Sequence, residues 1–294
     1  MTSLGRTSRA VLAALLLVGA VACSSGGDDD AASGADAPTT TTVAVTTTTV
    51  TPPEPVPVGR ADGPVVVGHR GAAGHFPDNT LEGFEGAADL GADWVELDVR
   101  LSADGVPVLS HDPETEGGDI VAETSADDLE RQGLVPFDEA LTVIEEHGLG
   151  VDVEVKGLPT EPGYDESLAV ADQTVDAITA AYLTVPFVVS SFNPGILDRV
   201  RDLSSGGIDT VRILPAGGDA TVLAPEIAAN GDAGVAVEHE GLNDADIAAY
   251  LDEGLPVWVW TVDDPVVAQR LVDGGVEGVI TDVPDVMAEA LQEG

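Results

Sequence analysis

Positive charge is what this 294-residue chain lacks most: 11 basic residues stand against 53 acidic ones, for a formal net charge of -42. Such a balance repels nucleic acid and anionic surfaces, so nucleic-acid binding is excluded as a function. Self-repulsion of this size favours a highly soluble or salt-tolerant surface and by itself names no activity. There is a single cysteine, Cys23, so no disulfide within the chain is possible. Aromatics make up 4% of the residues, too few for an extensive apolar rim. The longest apolar run, Ala10 to Ala22, is too short to span a bilayer as a helix.

That run follows Arg6 and Arg9 and ends in small residues before Cys23, the layout of a signal peptide. Ala20-Val21-Ala22-Cys23 resembles a bacterial lipoprotein processing site, and lipidation at Cys23 would also account for the lone thiol. From Ser24 to about Val58 the chain is Ser, Gly, Asp, Thr and Pro with little to pack. The expected organisation is a signal peptide at 1–22, a disordered lipoprotein tether at 23–60 and a folded domain at 61–294. The expected location is extracytoplasmic, anchored to the membrane through Cys23 or secreted.

In the folded part, β-branched apolar runs alternate with amphipathic segments. Strands are expected at Val65–His69, Trp94–Arg100, Gly150–Lys156, Phe187–Phe192, Thr210–Leu214, Gly234–Glu238, Pro256–Val262 and Gly278–Asp282. Helical patterns fall between them, with Ala220–Asn230 the weakest because Pro225 interrupts it. Gly105–His111 reads as a short return strand after a turn at Ala103-Asp104-Gly105. Apolar strands joined by helices are parallel and covered on both faces. Eight such units predict an α/β fold of the (β/α)8 TIM-barrel type.

The one lysine, Lys156, lies two residues from Glu154 in a strand, so both face one way while Val153 and Val155 face the other. Glu96 and Asp98 repeat the pattern against Leu97 and Val99. Burying ionisable groups in apolar strands is costly unless they share a ligand. The economical reading is a divalent cation held by Glu96, Asp98 and Glu154 with an anionic substrate. Hard oxygen donors suit Ca2+, Mg2+ or Mn2+. Functional groups in this fold collect at the carboxyl ends of strands. His69, Arg70, Glu96, Asp98, Glu154, Lys156, Phe192, Trp260 and Asp282 all fall there.

Gly68-His69-Arg70-Gly71, Pro77-Asp78-Asn79-Thr80, Glu96-Leu97-Asp98-Val99, His111-Asp112 and Glu154-Val155-Lys156 together resemble the glycerophosphodiester phosphodiesterase family. Ser191-Phe192, Trp260-Thr261-Val262 and Gly278-Val279-Ile280-Thr281-Asp282 extend the resemblance over residues 64 to 290. The resemblance implies hydrolysis of a small-molecule glycerophosphodiester to glycerol 3-phosphate and an alcohol. It implies His69 and His111 as the acid/base pair and one cation, Ca2+ first, at Glu96, Asp98 and Glu154. It also implies that the glycerol 2-hydroxyl attacks first, giving a cyclic phosphate that water opens. Arg70 and Lys156 are expected to meet phosphoryl oxygens, and Phe192 and Trp260 to wall the pocket. Trp258, deeper in its strand, is assigned to packing.

Two segments depart from the family pattern. Its Pro-Glu-Asn-Thr is Pro77-Asp78-Asn79-Thr80 here, shortening the acid's reach by about 1.5 Å and putting that contact in question. Pro113–Ala122 lacks the usual Leu-Asp-Arg-Thr-Thr run, which leaves the preferred alcohol open. The competing readings are a related phospholipase acting on intact lipid and a non-catalytic cation-binding surface lipoprotein. No protein partner is evident.

Overall fold

The computed structural model describes residues 63–292. The expected signal peptide, the anchor at Cys23 and the tether up to residue 60 lie outside the described residues. Eight parallel strands, β1 (Val65–Gly68), β2 (Trp94–Leu101), β4 (Gly150–Val155), β5 (Phe187–Ser191), β6 (Thr210–Leu214), β7 (Gly234–Glu238), β8 (Val257–Trp260) and β9 (Gly278–Thr281), form a barrel that the β1–β2 pairing closes. The short β3 (Pro107–Leu109) folds back antiparallel on β2, as the expected return strand does. This is the TIM-barrel fold.

Helices α1 (Leu81–Asp89), α2 (Ala126–Arg131), α3 (Phe137–His147), α4 (Ala169–Ala181), α5 (Pro194–Ser204), α6 (Ala220–Asn230), α7 (Asp244–Asp252), α8 (Pro265–Asp273) and α9 (Pro284–Gln292) connect or flank the strands. Their starts are set by side chains that satisfy free backbone N–H groups. Thr80 accepts from Gly83, and Asn193 from Gly195 with Pro194 next to it. Asn243 and Asp246 form a capping box. Pro225 does not break α6, contrary to expectation. The helix runs through it, capped by Asp219 and held by burial of Ala220, Ala224 and Ile227. Apolar burial there outweighs one missing backbone hydrogen bond.

Strand alternation sorts the core into two layers. Outward-facing Val95, Leu97, Val99, Val151, Val153 and Val155 are buried against Phe84, Leu141 and Ile144 of the helices. Burial of such side chains contributes about 1.5–3 kcal/mol each. Inward-facing residues fill the barrel, and Trp94 and Trp258 pack edge to face there with ring centroids 5.3 Å apart. Glycine makes that aromatic plug possible: a Cβ on Gly150 would lie 2.3 Å from the Trp94 ring, and one on Gly278 2.5 Å from Trp258. Trp258 is fully buried, a packing residue as expected. Along β2 the inward sequence is Trp94, Glu96, Asp98 and Arg100, and along β4 it is Gly150, Asp152 and Glu154. The interior therefore grades from aromatic to ionic toward the carboxyl end.

Candidate active site

The turn after β1 is built for close approach. A Cβ on Gly68 would sit 1.9 Å from the Gly71 carbonyl oxygen, so only glycine fits. Arg70 has φ 50 and Gly71 φ 95, both left-handed; the non-glycine Arg70 stores strain there. That conformation aims the Arg70 N–H at Glu96 Oε2 (2.8 Å), while its carbonyl accepts from Asn79 N (3.0 Å). Asn79, itself left-handed at φ 57, clamps Asp98 from both sides. Its Nδ2 donates to Asp98 Oδ2 at 2.9 Å, and its Oδ1 accepts from the Asp98 backbone at 3.1 Å.

Glu96, Asp98 and Glu154 converge, with one carboxylate oxygen of each within 4.8 Å of the others. All three are buried. Lys156 Nζ forms ion pairs with Glu154 Oε1 at 2.6 Å and Asp98 Oδ1 at 2.8 Å, and Arg70 Nε stands 3.4 Å from Asp98 Oδ2. Glu96 Oε1 has no hydrogen-bond partner among the described residues. A fourth inward acid, Asp152, lies one layer below at 1% exposure. The charges respond accordingly. Burial pushes the Glu96 carboxyl well up, and Asp98 and Glu154 push it further. Asp152 is pushed up to about 7, chiefly by burial. Burial works the same way on Asp98, but the Lys156 ammonium and Asn79 prevail and hold it at about 2. The same carboxylates raise Lys156 against its own desolvation. Acids still outnumber cations here, and an orphaned buried oxygen beside converging carboxylates fits a divalent cation.

The imidazoles flank this centre. His69 follows β1, and its Nδ1 lies 2.6 Å from Oδ1 of Asp282, the residue after β9. The Asp282 backbone is in turn held by Asp263 Oδ1 at 2.9 Å. The Asp282 carboxyl sits below its ordinary range because of the His69 hydrogen bond. His111 follows β3, its Nδ1 2.8 Å from Asp112 Oδ1. Burial and then Lys156 push the His111 imidazole down. A cavity of about 210 Å3 is lined by His69, Arg70, Glu96, His111, Lys156 and Trp260, among others. Phe192 also lines it and meets Trp260 edge to face at 5.6 Å, and Trp260 Nε1 donates to the Ala236 carbonyl at 3.2 Å.

The nine residues expected to form the site, His69, Arg70, Glu96, Asp98, His111, Glu154, Lys156, Phe192 and Trp260, are therefore gathered at one mouth. Lys156 and Arg70 are engaged with the carboxylates. The shorter Asp78 still reaches Arg70, at 2.6 Å. Asp282, Asn79 and Asp152 belong with them, though the sequence reading gave them no role. Asp282 and Asn79 stood inside quoted motifs, and Asp152 shares the parity of Glu154.

Residues 69–286 match the glycerophosphoryl diester phosphodiesterase family. The chain belongs to this family. It is 27% identical over 246 residues to a glycerophosphodiester phosphodiesterase of Bacillus subtilis (strain 168), covering 75% of this chain and 84% of that protein. It is 25% identical over 257 residues to a glycerophosphodiester phosphodiesterase of Caldanaerobacter subterraneus subsp. tengcongensis, covering 78% and 98%. Its fold is similar to that of an Oleispira antarctica phosphodiesterase solved in complex with sn-glycerol-3-phosphate. The TM-score is 0.69 at 24% identity, over 78% of this chain and 96% of that one.

Proposed function

We propose that this protein hydrolyses glycerophosphodiesters to glycerol 3-phosphate and an alcohol, using His69 and His111 for proton transfer beside a bound divalent cation. The observation that carries this reading is the placement of two imidazoles around three converging buried carboxylates, one with an unpartnered oxygen. Glu96, Asp98 and Glu154 would hold the cation, with Ca2+ the first candidate and Mg2+ or Mn2+ the others. When bound, it supplies positive charge to the phosphoryl oxygens.

The protein's own groups account for the rest. The Asp282 contact holds His69 Nδ1, which directs its other ring nitrogen to the substrate as base for the glycerol 2-hydroxyl. Attack by that hydroxyl on phosphorus forms the cyclic diester as the bond to the alcohol breaks. His111 donates the proton that the departing oxygen needs. Water then opens the ring with the same two imidazoles in reversed roles. Arg70 and Lys156 lie where they can turn from the carboxylates toward phosphoryl oxygens. Phe192 and Trp260 wall the glycerol side.

An enzyme-coupled assay for glycerol 3-phosphate, run with several head groups with and without EDTA, tests the proposal. Release with cation and none with chelator is expected; no release from any diester with cation supplied leaves the cation-binding reading in its place. His69→Ala and His111→Ala should each lose about 10²–10⁴-fold in kcat, and normal turnover in either removes the acid/base assignment. We further propose that the protein works outside the cytoplasm on a lipid anchor at Cys23. Release of a Cys23→Ser variant into the medium, with wild type retained on membranes, is the expected result.

A further inference from the structure

A second cavity, also about 210 Å3, adjoins the first and shares His111, Glu154, Lys156 and Phe192 with it. A phosphodiester carries one alcohol portion on each side of phosphorus, and two cavities meeting at Lys156 and His111 match that division. His69 lines the first cavity alone, whereas His111 stands where they join. The second cavity is therefore the side of the departing alcohol, and Arg100 and Glu161 both line it.

Arg100 continues the inward row of Glu96 and Asp98 on β2 and is 8% exposed. Its Nε and Nη2 both donate to the His111 carbonyl, at 3.1 and 2.7 Å. Its Nη1 and Nη2 donate to Glu161 Oε2 and Oε1, at 3.1 and 3.2 Å. Glu161 Oε2 also accepts from Leu158 N at 3.0 Å. One rigid guanidinium thus ties the loop carrying His111 to the loop after β4. The forked contact fixes the main chain of His111, while Asp112 occupies Nδ1, so the ring has one nitrogen left to present.

We infer that Arg100, held by Glu161, is a positioning residue that sets His111 for proton donation to the departing alcohol. The inference rests on the diesterase reading above. In that step the phosphorus–oxygen bond to the alcohol breaks, its electron pair stays on that oxygen, and the imidazolium proton caps it. Removing Arg100 lets the His111 loop move and weakens protonation of the leaving group, with attack on phosphorus intact.

The test compares glycerophosphocholine, whose alkoxide must be protonated, with glycerophospho-p-nitrophenol, whose aryl oxide leaves without a proton near neutral pH. In Arg100→Leu, kcat on the choline diester is expected to fall about tenfold or more, and on the nitrophenyl diester by about twofold or less. The ratio of the two rates does not depend on the folded fraction, since both substrates meet the same folded molecules. His111→Ala should shift the ratio further in the same direction, and adding Arg100→Leu to it should change nothing more. Glu161→Gln, which keeps the shape of the pair, should shift the ratio less and decides the matter if Arg100→Leu cannot be produced. An unchanged ratio, or an equal shift on the His111→Ala background, overturns the inference. Wild-type protein that cleaves neither diester with cation supplied would instead remove the diesterase reading beneath it.

Discussion

Two buried ionic clusters sit on this barrel, and they are balanced in opposite ways. On the flank, the buried Asp232 meets two guanidiniums, one of which also pairs with the exposed Asp198. Asp232 is bonded by Arg201 and Thr210 through Oδ1 and by Arg212 Nη2 through Oδ2 at 2.8 Å. At the mouth, four inward acids, Glu96, Asp98, Asp152 and Glu154, face Lys156 and Arg70, and Glu96 Oε1 is left without a partner. The flank leaves no carboxylate oxygen of Asp232 idle and is a structural lock in which only Arg212 Nε lacks a hydrogen-bond partner among the described residues. The mouth holds more carboxyls than cations, so Glu96 and Asp152 are pushed toward their protonated forms unless a bound cation completes the site. The contrast sets a cluster that holds the fold apart from the one proposed above for chemistry.

The largest effect should come from breaking the lock. Asp232→Ala leaves the buried Arg212 guanidinium without an anion and Arg201 with only the exposed Asp198, at a cost of about 3–5 kcal/mol in stability. Denaturant unfolding reads that loss, while turnover per folded molecule stays at the wild-type level because the mouth is untouched. Lost turnover with unchanged stability would reverse the roles assigned to the two clusters.

Next in size is Lys156→Met. It removes the ammonium that bridges Asp98 and Glu154, so kcat should fall about 10²-fold through weaker stabilisation of phosphoryl charge. The added negative surplus should at the same time tighten binding of the divalent cation, measured by calorimetric titration. A purely structural lysine would give the opposite pair of results, weaker cation binding with kcat intact.

The same contrast explains what was legible from the sequence. Strand parity alone placed Glu96 with Asp98 and Glu154 with Lys156, because alternation is local and the apolar neighbours fixed which face was which. The eight strands were found within one or two residues, and His69, Lys156, Phe192 and Asp282 turn out to stand one residue beyond a strand end. Partnerships across the barrel were not legible. Asp282 reaching His69, or Arg100 reaching Glu161, joins segments far apart in the chain, and no periodicity encodes such a pairing. Pro225 was misread because a local breaker was weighed without the burial that holds α6. The flank lock went unseen for a similar reason. Arg212 and Thr210 share the outward face of β6, but Asp232 and Arg201 come from separate segments.

The smallest and most discriminating effect concerns Glu96 in the absence of cation. Its carboxyl is raised well above 4.5 by burial and by Asp98 and Glu154. An acid whose pKa is higher folded than unfolded binds its proton more tightly when folded, so stability is lost as pH rises from the ordinary value through the raised one. Asp98, held at about 2, has the opposite sign and keeps its contribution above its ordinary 3.8. Glu96→Gln removes the first term and leaves the second. In EDTA at pH 7 the variant should be more stable than wild type by about 1–2 kcal/mol, a rise of roughly 2–8 °C in Tm. The advantage should shrink toward pH 4.5. Added cation should close the gap from the other side, because wild type gains stability by binding it and the variant gains less. A Gln variant no more stable than wild type in EDTA would mean that the mouth carries no surplus charge, and the two clusters would then be the same kind of object.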